Sequence, residues 1–558
     1  MLGLMQNHNL NVSDIIRFAA RYHTHATVTT RRADGSRVVH SYPQIEARAA
    51  QLAHALKRRG VAPGTRIGTV AWNDHRHMEL YYGIAGIGAV CHTINPRLFT
   101  EQIAYIIADA ADDMLFIDPL EIAVAEALGP QLKNAGVKTL IVLGADEDVP
   151  DTPLKAALEV ISYETFIAGE PAEIDWPRFD ENNAVSLCYT SGTTGSPKGV
   201  LYSHRAVVLH GYATNLPDCF GLRSVDVAMP VVPMFHVNGW GIPYSAPMVG
   251  ASLVLPGPRP QAADLHDLIA TTGVTWSAAV PTVWLGVLER LRATGAAIPQ
   301  KLRIVVGGAA CPPHLAFAFD EEFGVEVNQA WGMTETTPLG LYNQRKIENR
   351  DMAQADWLAS QRRQGRPVFG VEIRAVDDAG ADVPADGVAT GELLIRGPWI
   401  AAAYYKGAGA TDQAPGGAFT AQGWFRTGDV VAQDASGYFE IVDRTKDLIK
   451  SGGEWISSIA LENVAVAHPA VQEAAVIAAR HPKWDERPLL LVVLKPGQTV
   501  ERDELLRWYD GKVAKWWVPD DAIVVNELPH TATGKLLKSE VRNRFADYIL
   551  NKAAGDDA

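Results

Sequence analysis

The twelve residues Tyr189–Val200 read YTSGTTGSPKGV, and ten of them are small, polar, turn-forming or cationic. They continue from the apolar run AVSLCY at Ala184–Tyr189, which predicts a buried strand. Gly192 and Gly195 allow backbone N–H groups to turn toward an anion, and Lys198 adds a positive charge. A strand that leads into such a loop predicts a phosphate-binding site.

The loop does not have the pattern of the common nucleotide-hydrolysing enzymes. The P-loop pattern places a serine or threonine directly after the lysine, where it ligates Mg²⁺, but Gly199 follows Lys198 here. A kinase-type glycine-rich pattern is absent as well. The stretch alone therefore leaves two interpretations open, a phosphate loop of another kind and a flexible surface turn.

Composition limits the classes of function. The chain has 558 residues, of which 47% are hydrophobic and 20% charged, so it is globular and long enough for more than one domain. A net charge of −14 argues against broad binding to nucleic acid or a membrane surface, although a local cluster of amides and cations can still bind an anion. We expect neither a signal peptide nor a transmembrane helix. Four widely spaced cysteines without metal-ligand spacing predict reduced, mostly buried thiols in a cytoplasmic protein: Cys91, Cys188, Cys219 and Cys311.

Helical and strand-like patterns alternate through the first part of the chain and again after the loop. Residues 42–59 carry apolar side chains at helical spacing before Gly60 and Pro63, and residues 78–90 predict a buried helix. Short apolar strands are predicted at 66–72, 113–117, 139–143, 251–255, 274–280 and 302–310. Strands separated by helices imply parallel sheets that are covered on both faces.

The pattern changes from Val371 onward. Alternating segments around Asp-Ala-Gly turns are typical of antiparallel hairpins, residues 401–421 predict a loop, and two more strands are predicted within 423–430 and 437–444. A compact α+β unit follows, with helices at 459–466 and 502–515 and strands at 471–479 and 489–494. We place a domain boundary near 443–446.

Six motifs follow the loop in order. They are VPMFHVNGW at 232–240, GGAACP at 307–312, WGMTE at 331–335, WFRTGD at 424–429, DRTKDLIKSGGEWIS at 443–457 and LPHTATGK at 528–535. Together with TSGTTGSPKG they resemble the acyl-adenylate-forming superfamily of acyl-CoA synthetases, luciferases and peptide-synthetase adenylation domains, over essentially the whole chain. IKSGGEWIS and ARHPKWDERP at 479–488 are most similar to bacterial medium-chain fatty-acid–CoA ligases.

The resemblance implies an α/β fold with two domains. Residues 1–443 would form a large N-terminal adenylation domain of parallel αβαβα-layered sheets plus a small β-barrel-like subdomain. Residues 444–558 would form a small mobile α+β domain with a hinge near 443–447, at Lys446. The implied reaction joins a medium-chain fatty acid, or alternatively a long-chain one, to AMP from ATP and then to CoA, with Mg²⁺ bound. Related ligases are often dimers through the large domain, so a homodimer is a candidate assembly.

The resemblance also assigns the nucleotide contacts. The phosphate loop would hold the β- and γ-phosphates, Trp331 and the backbone after Gly307 would hold adenine, and Asp429 with Arg444 would hold the ribose. The whole implied set is Thr190, Ser191, Gly192, Thr193, Thr194, Gly195, Lys198, Gly308, Ala309, Ala310, Trp331, Gly332, Met333, Thr334, Asp429 and Arg444.

Four residues would carry the chemistry. Lys535 would bridge the acid carboxylate and the α-phosphate, and Glu335 would hold Mg²⁺ together with Thr194. His236 would line the carboxylate end of the acid slot. Lys450 would lie on the face that enters after the small domain rotates. These residue types also occur for structural reasons alone. Lys535 could be a solvated surface lysine, Glu335 a helix cap and His236 a histidine of the core.

The two remaining substrates would meet residues of both domains. Val237, Trp240 and Gly307 would line the acid slot, where Trp240 matches a tryptophan that gates the acyl tunnel in some long-chain ligases. Gly452 and Gly453 would leave room for the pantetheine arm of CoA, next to Trp455.

Three alternatives remain open. The acid could be 3-methylmercaptopropionate or another short or aryl acid, because the motifs of such ligases look very similar. The enzyme could adenylate without CoA, although Lys450 and the two glycines favour CoA. A catalytically silent nucleotide-binding homologue is disfavoured because Lys535, Glu335, Asp429 and Arg444 are all present.

Overall fold

The computed structural model describes residues 1, 3–190, 197–407, 417–451, 454–530 and 536–550. The described residues separate into two compact units. The larger contains most residues up to Glu372 together with Ile395–Phe425, and the smaller contains Ile373–Leu394 and the residues from Arg426 onward.

The larger unit contains a nine-stranded mixed sheet. Its strands, in spatial order, are Arg366–Pro367, Leu339–Tyr342, Glu326–Gly332, Arg303–Val306, Trp276–Ala279, Val227–Pro230, Ser252–Leu255, Thr27–Arg31 and Arg37–Ser41. The inner strands pair in parallel, and the antiparallel pairs lie toward the two edges. Trp284, Leu288, Ile304 and Phe319 belong to a buried cluster that packs helices against this sheet.

The larger unit also contains a seven-stranded sheet. In spatial order its strands are Glu159–Ser162, Thr139–Val142, Met114–Ile117, Arg66–Val70, Val90–Thr93, Ala184–Tyr189 and Gly199–Ser203. All neighbours pair in parallel except the last two strands, which are antiparallel. The predicted phosphate loop therefore connects two antiparallel strands rather than a strand and a helix, which agrees with its failure to match the P-loop pattern.

Helices cover these sheets. They are Ser13–Tyr22, Tyr42–Arg58, His75–Gly86, Thr100–Ala110, Ile122–Leu128, Pro130–Asn134, Tyr163–Ile167, His204–Thr214, Ile242–Val249, Ala262–Thr272, Pro281–Thr294, Pro313–Phe323 and Gln354–Ala359.

Helix Tyr42–Arg58 shows how the local sequence sets these elements. Ser41 caps it, since its backbone N–H donates to Gln44 Oε1 at 2.8 Å, and Pro43 occupies the first turn. Ile45, Leu52 and Leu56 are buried on its inner face, each contributing roughly 1.5–3 kcal/mol by leaving water.

The smaller unit contains most residues of the remaining strands. A four-stranded sheet, Glu372–Val376, Thr390–Arg396, Phe425–Gln433 and Phe439–Arg444, forms the region that the sequence predicted as a barrel-like subdomain. A five-stranded sheet consists of Glu454–Ile456, Ile449–Ser451, Asp485–Leu494 and Val471–His481, with Asp521–Val524 paired to Asp485–Leu494. Its helices are Ser458–Val466, Arg502–Arg507 and Lys538–Arg544.

Most of the predicted elements are confirmed, but one helix is wrong. The helix expected at 502–515 ends at Arg507, and a short 3-10 turn follows at Lys515–Trp517. Two tertiary bonds hold the intervening turn, from Trp508 Nε1 to the Val464 carbonyl (2.8 Å) and from the Tyr509 hydroxyl to the Leu461 carbonyl (2.8 Å). Gly511 then takes a left-handed conformation that ends any helical continuation.

The described residues can be compared with the expectations of buried, reduced cysteines and of no transmembrane helix. All four cysteines are buried and unbridged. Within the described part of the chain, no helix combines the length and the apolar character needed to cross a bilayer.

A buried ion pair connects three segments of the smaller unit. Lys538 Nζ lies 2.8 Å from Glu462 Oε1 and donates to Ser458 Oγ at 2.6 Å. Ser458 in turn donates to Asp443 Oδ2 from both its hydroxyl and its backbone N–H, at 2.6 Å each. Burial lowers the pKa of Lys538, but the nearby carboxylates outweigh burial and raise its pKa above the ordinary value.

Lys538→Met should therefore lower the free energy of unfolding by about 3–5 kcal/mol, because it leaves buried carboxylates without their cation. The measurement is urea unfolding at neutral pH. Arg544→Met is the matched control, since it breaks the exposed Arg544–Glu540 pair and should cost less than about 1 kcal/mol. Equal losses in the two variants would contradict the role given to Lys538.

Candidate active site

The base of the predicted phosphate loop is closed by two hydrogen bonds. The Thr190 N–H donates to the Lys198 carbonyl at 2.9 Å, and the Lys198 N–H donates to Thr190 Oγ1 at 3.1 Å. These bonds continue the pairing of strands Ala184–Tyr189 and Gly199–Ser203 up to the base of the loop. Ser191, Gly192, Thr193, Thr194 and Gly195 lie outside the described residues, so their predicted contacts stay predictions.

The WGMTE motif places Glu335 on a short 3-10 turn. Strand Glu326–Gly332 ends at Gly332, and the turn occupies Thr334–Thr336. Only 5% of the Glu335 surface is exposed. A buried carboxylate needs hydrogen-bond donors to replace its water, so the donors around this turn decide where Glu335 lies.

Donors reach the turn from two distant segments. The Tyr202 hydroxyl donates to the Thr334 carbonyl at 2.7 Å. The Ala401 N–H donates to the Glu335 carbonyl at 2.8 Å, and the Tyr404 hydroxyl donates to Glu335 Oε1 at 2.6 Å. The turn is therefore fixed through its backbone and through the Glu335 carboxylate itself.

Two glycines allow the close packing around the motif. A Cβ on Gly332 would overlap the backbone carbonyl oxygen of Pro338, so only glycine fits without a backbone shift. A Cβ on Gly340 would lie 2.6 Å from the Trp331 ring, so Trp331 packs directly over that backbone. Trp331 is 8% exposed, and this packing fixes the plane of its indole.

The backbone predicted to face adenine follows strand Arg303–Val306. Gly308 has a φ of +81°, which glycine adopts without strain, and the side chain of Ala309 is exposed. The Cys311 N–H donates to Gln329 Oε1 at 3.1 Å and ties the segment to the next strand. In the WGMTE motif the Met333 N–H donates to the Pro338 carbonyl at 3.1 Å.

The VPMFHVNGW motif contains a left-handed turn. Val237, Asn238, Gly239, Trp240 and Gly241 all have positive φ, between 40° and 74°. For residues with a Cβ this conformation costs roughly 1–2 kcal/mol each, so surrounding contacts must hold it.

The Asn238 side chain supplies those contacts. Its Nδ2 donates to Ser186 Oγ at 2.5 Å, and its Oδ1 accepts from Cys188 Sγ at 3.1 Å and from Thr93 Oγ1 at 3.4 Å. The left-handed turn is thereby fixed to two strands of the seven-stranded sheet. His236 lies half-buried at the start of the turn.

Trp240 is directed by this turn toward Gly307. A Cβ on Gly307 would lie 2.7 Å from the tip of the indole, so Gly307 provides room for the Trp240 ring. A small cavity lies beside the turn and is lined by Tyr202, Val207, His210, Val237, Asn238, Gly241, Tyr244 and Thr337. Burial lowers the pKa of His210 to about 3, so this imidazole is neutral and its Nε2 can accept from the Leu339 N–H.

In the smaller unit the structure brings Asp429 and Arg444 together. They are cross-strand neighbours, and Arg444 Nε lies 3.1 Å from Asp429 Oδ1. Asp429 is 3% exposed, whereas nearly half of the Arg444 side chain is exposed. Burial, aided by Arg444, lowers the pKa of Lys446 below its ordinary value.

Lys450 and Trp455 also face one another on an antiparallel hairpin. Lys450 Nζ lies 5.7 Å from the centre of the Trp455 ring, a cation–π distance, and half of the Trp455 surface is exposed. Gly452, Gly453 and Lys535 lie outside the described residues.

The sequence did not identify Tyr202, Tyr404, Asn238 or His210 as parts of these sites. Tyr404 falls in the predicted loop 401–421, where the aromatic pair Tyr404-Tyr405 was the only signal of a packed role. Tyr202 and His210 occur within runs that look like ordinary core, whereas Asn238 lies inside the VPMFHVNGW motif but has no role assigned from the sequence.

The Glu335 carboxylate suits a magnesium ion. Mg²⁺ is typically held by one or two carboxylates together with nucleotide oxygens and water. Glu335 supplies one buried carboxylate whose Oε1 is already oriented by Tyr404. Among the described residues, no group of three or more His, Cys, Asp or Glu side chains could hold a metal.

Comparison with known proteins identifies the family. The family model for AMP-binding enzyme matches residues 16–405, and the model for AMP-binding enzyme C-terminal domain matches residues 460–535. The chain belongs to the AMP-binding enzyme family. The resemblance inferred from the seven motifs is thereby confirmed.

Similar proteins extend this result. The AMP-binding chain is 47% identical to the 3-methylmercaptopropionyl-CoA ligase of Ruegeria lacuscaerulensis, over 98% of its own length and 100% of that protein. It is 44% identical to the medium-chain-fatty-acid–CoA ligase of Ectopseudomonas oleovorans, over 99% of each chain. The crystal structure of the anthranilate CoA ligase AuaEII with anthranoyl-AMP superposes with a TM-score of 0.84 at 26% identity, covering 97% of this chain and 98% of that one. This AMP-binding enzyme is an AMP-forming acid–CoA ligase, with the fold of adenylate-forming enzymes.

Gly332→Ala should damage the Glu335 turn, because its Cβ would meet a backbone carbonyl that cannot move alone. We expect the free energy of unfolding to fall by about 1–3 kcal/mol and ATP binding to weaken. Gly286→Ala is the control, since its Cβ would find its nearest neighbour at 3.7 Å inside helix Pro281–Thr294 and should stabilise by up to about 1 kcal/mol. Urea unfolding and ATP titration give both values. A wild-type result for Gly332→Ala would contradict the steric argument.

Proposed function

We propose that the protein is an ATP-dependent fatty acid–CoA ligase that acts through an acyl-adenylate. A carboxylate oxygen of the acid attacks the α-phosphorus of ATP, and the bond to the β-phosphate oxygen breaks to release pyrophosphate. The thiol sulfur of CoA then attacks the acyl carbonyl carbon, the bond to AMP breaks, and the thiol proton leaves to solvent. The buried and oriented Glu335 carboxylate is the observation that carries this proposal.

Adenylation is mainly a matter of position and charge. We assign the β- and γ-phosphates to the loop that begins at Thr190 and ends at Lys198. Lys535 neutralises the α-phosphate and the incoming carboxylate. Trp331 with the Gly308–Ala310 backbone holds adenine, and Asp429 with Arg444 holds the ribose hydroxyls.

Glu335 would hold Mg²⁺, with Thr194 as a second ligand. When bound, the ion would neutralise charge on the phosphate oxygens of ATP. The contribution of the chain is to keep the Glu335 carboxylate buried and in a single orientation, so that little reorganisation is needed when the nucleotide arrives.

Thioester formation requires a different face of the small domain. We assign this face to Lys450, Gly452, Gly453 and Trp455, and the hinge to Lys446. Rotation about the hinge would withdraw Lys535 and admit the pantetheine arm. The neighbouring positions of Lys450 and Trp455 on one hairpin support this assignment. A cytoplasmic location and a homodimer remain part of the proposal.

We propose medium-chain fatty acids as the first candidate substrates, since a medium-chain ligase is 44% identical over the full length. The 47% identity to a 3-methylmercaptopropionyl-CoA ligase supports 3-methylmercaptopropionate as the second candidate. Both acids are unbranched, and both would enter a slot bounded by Val237, Trp240 and Gly307, with His236 at the carboxylate end.

Pyrophosphate release with ATP, CoA and an acid panel tests the proposal. The panel runs from butyrate to palmitate and includes 3-methylmercaptopropionate and pentanoate, which has the same number of chain atoms without sulfur. We expect a maximum of kcat/KM among the medium-chain acids. A clear preference for 3-methylmercaptopropionate over pentanoate would select the second candidate, and release without thioester formation would contradict the ligase reaction.

Lys535→Ala separates the two half-reactions. We expect ATP–pyrophosphate exchange to fall by about 100-fold or more, since a charge that stabilises the transition state is lost. Conversion of supplied acyl-adenylate to thioester should stay within about threefold of wild type. Lys515→Ala, which removes an exposed lysine of the same unit, is the control for both assays. Equal loss of both half-reactions would refute the assignment.

A further inference from the structure

A segment of the larger unit runs along the Glu335 turn and binds it through three of its residues, Trp399, Ala401 and Tyr404. The Trp399 Nε1 donates to the Leu339 carbonyl at 2.9 Å, and the Trp399 carbonyl accepts from Thr337 Oγ1 at 2.5 Å. Ala401 and Tyr404 then both bond to Glu335. Residues 399–404 thus fix the turn along its length, and Tyr404 is the member that reaches the carboxylate.

The ring of the same tyrosine contacts the end of the phosphate loop. Lys198 Nζ lies 4.6 Å from the centre of the Tyr404 ring, within the range of a cation–π interaction. Tyr404 therefore touches both charged groups of the larger unit to which we assign phosphate chemistry. Its hydroxyl donates to the Glu335 carboxylate, and its ring face contacts the Lys198 ammonium.

The position of Tyr404 is itself fixed by packing. Its ring meets Phe419 edge to face, with centroids 5.5 Å apart, and Phe419 packs against Phe425 at 5.2 Å. Tyr404 is half-buried, so solvent competes only in part with either contact. A ring held on one side by Phe419 cannot easily turn away from Glu335.

We propose that Tyr404 is a positioning residue that holds the Glu335 carboxylate and the Lys198 ammonium in the arrangement that MgATP requires. The hydroxyl orients the metal-binding carboxylate, and the ring places the lysine beside the loop. The inference rests on the proposed function, because it takes Glu335 as the metal ligand and Lys198 as a phosphate contact. It adds that these two groups are coupled by one side chain from a third segment.

The two parts of the side chain can be removed separately. Tyr404→Phe keeps the ring and its contacts with Lys198 and Phe419 but removes the hydroxyl from Glu335. Tyr404→Leu removes both. Tyr405→Phe is the matched control, because it removes a hydroxyl from the adjacent residue of the same segment.

Calorimetric titration with ATP, in saturating Mg²⁺ and again in EDTA, provides a readout independent of turnover. Tyr404→Phe should raise the Kd of ATP about tenfold in Mg²⁺ and leave the Kd in EDTA unchanged, since a hydrogen bond to a charged group is lost. Tyr404→Leu should raise both Kd values. Tyr405→Phe should match wild type in both media.

A double-mutant cycle with Glu335→Gln tests whether Tyr404 affects MgATP binding through the Glu335 carboxylate. If Tyr404 acts through the carboxylate, Tyr404→Phe should add little to the Mg²⁺-dependent defect of Glu335→Gln. A Tyr404→Phe protein that binds MgATP like wild type, or that loses affinity equally in both media, would overturn the inference. If the proposed function itself is wrong, the result is different. The wild type and Glu335→Gln would then have the same Kd for ATP, both in Mg²⁺ and in EDTA.

Discussion

The burial of the Glu335 carboxylate is the constraint on which the candidate site depends. A charged group with 5% exposure is stable only when hydrogen bonds replace its water. The Tyr404 hydroxyl donates such a bond to Glu335 Oε1, while Ala401 and Tyr202 hold the backbone carbonyls of Glu335 and Thr334. The turn also needs Gly332, because the Pro338 carbonyl approaches too closely for any side chain. Strand end, turn and residues 399–404 therefore form one interdependent structure around a single carboxylate.

Most of the fold can be predicted from the sequence, because capping residues, prolines and apolar spacing within a segment determine most of its helices and strands. The helix Tyr42–Arg58 has a capping serine, a proline in its first turn and regular apolar spacing, and the strand Ala184–Tyr189 has a short apolar run. The helix expected at 502–515 ends at Arg507, and the turn that follows is held by side-chain bonds from Trp508 and Tyr509 to the distant carbonyls of Val464 and Leu461. Tertiary bonds there override a favourable local pattern.

Motifs located many of the candidate site residues but not the side chains that hold them. Asp429 meets Arg444, Lys450 meets Trp455 and Trp240 meets Gly307, all pairs that the motifs group by function. Asn238 lies within a motif, yet its partners Thr93, Ser186 and Cys188 are 50 or more residues away. A left-handed turn at Val237–Gly241 has no local signal beyond its glycines, because contacts with other strands stabilise it.

Two of the candidate cations have a partner within the protein, although the chain as a whole carries a net charge of −14. Lys198 lies over the Tyr404 ring and Arg444 is bonded to Asp429, so each cation is already placed when the nucleotide arrives. Preorganised charge of this kind reduces the reorganisation that binding would otherwise require.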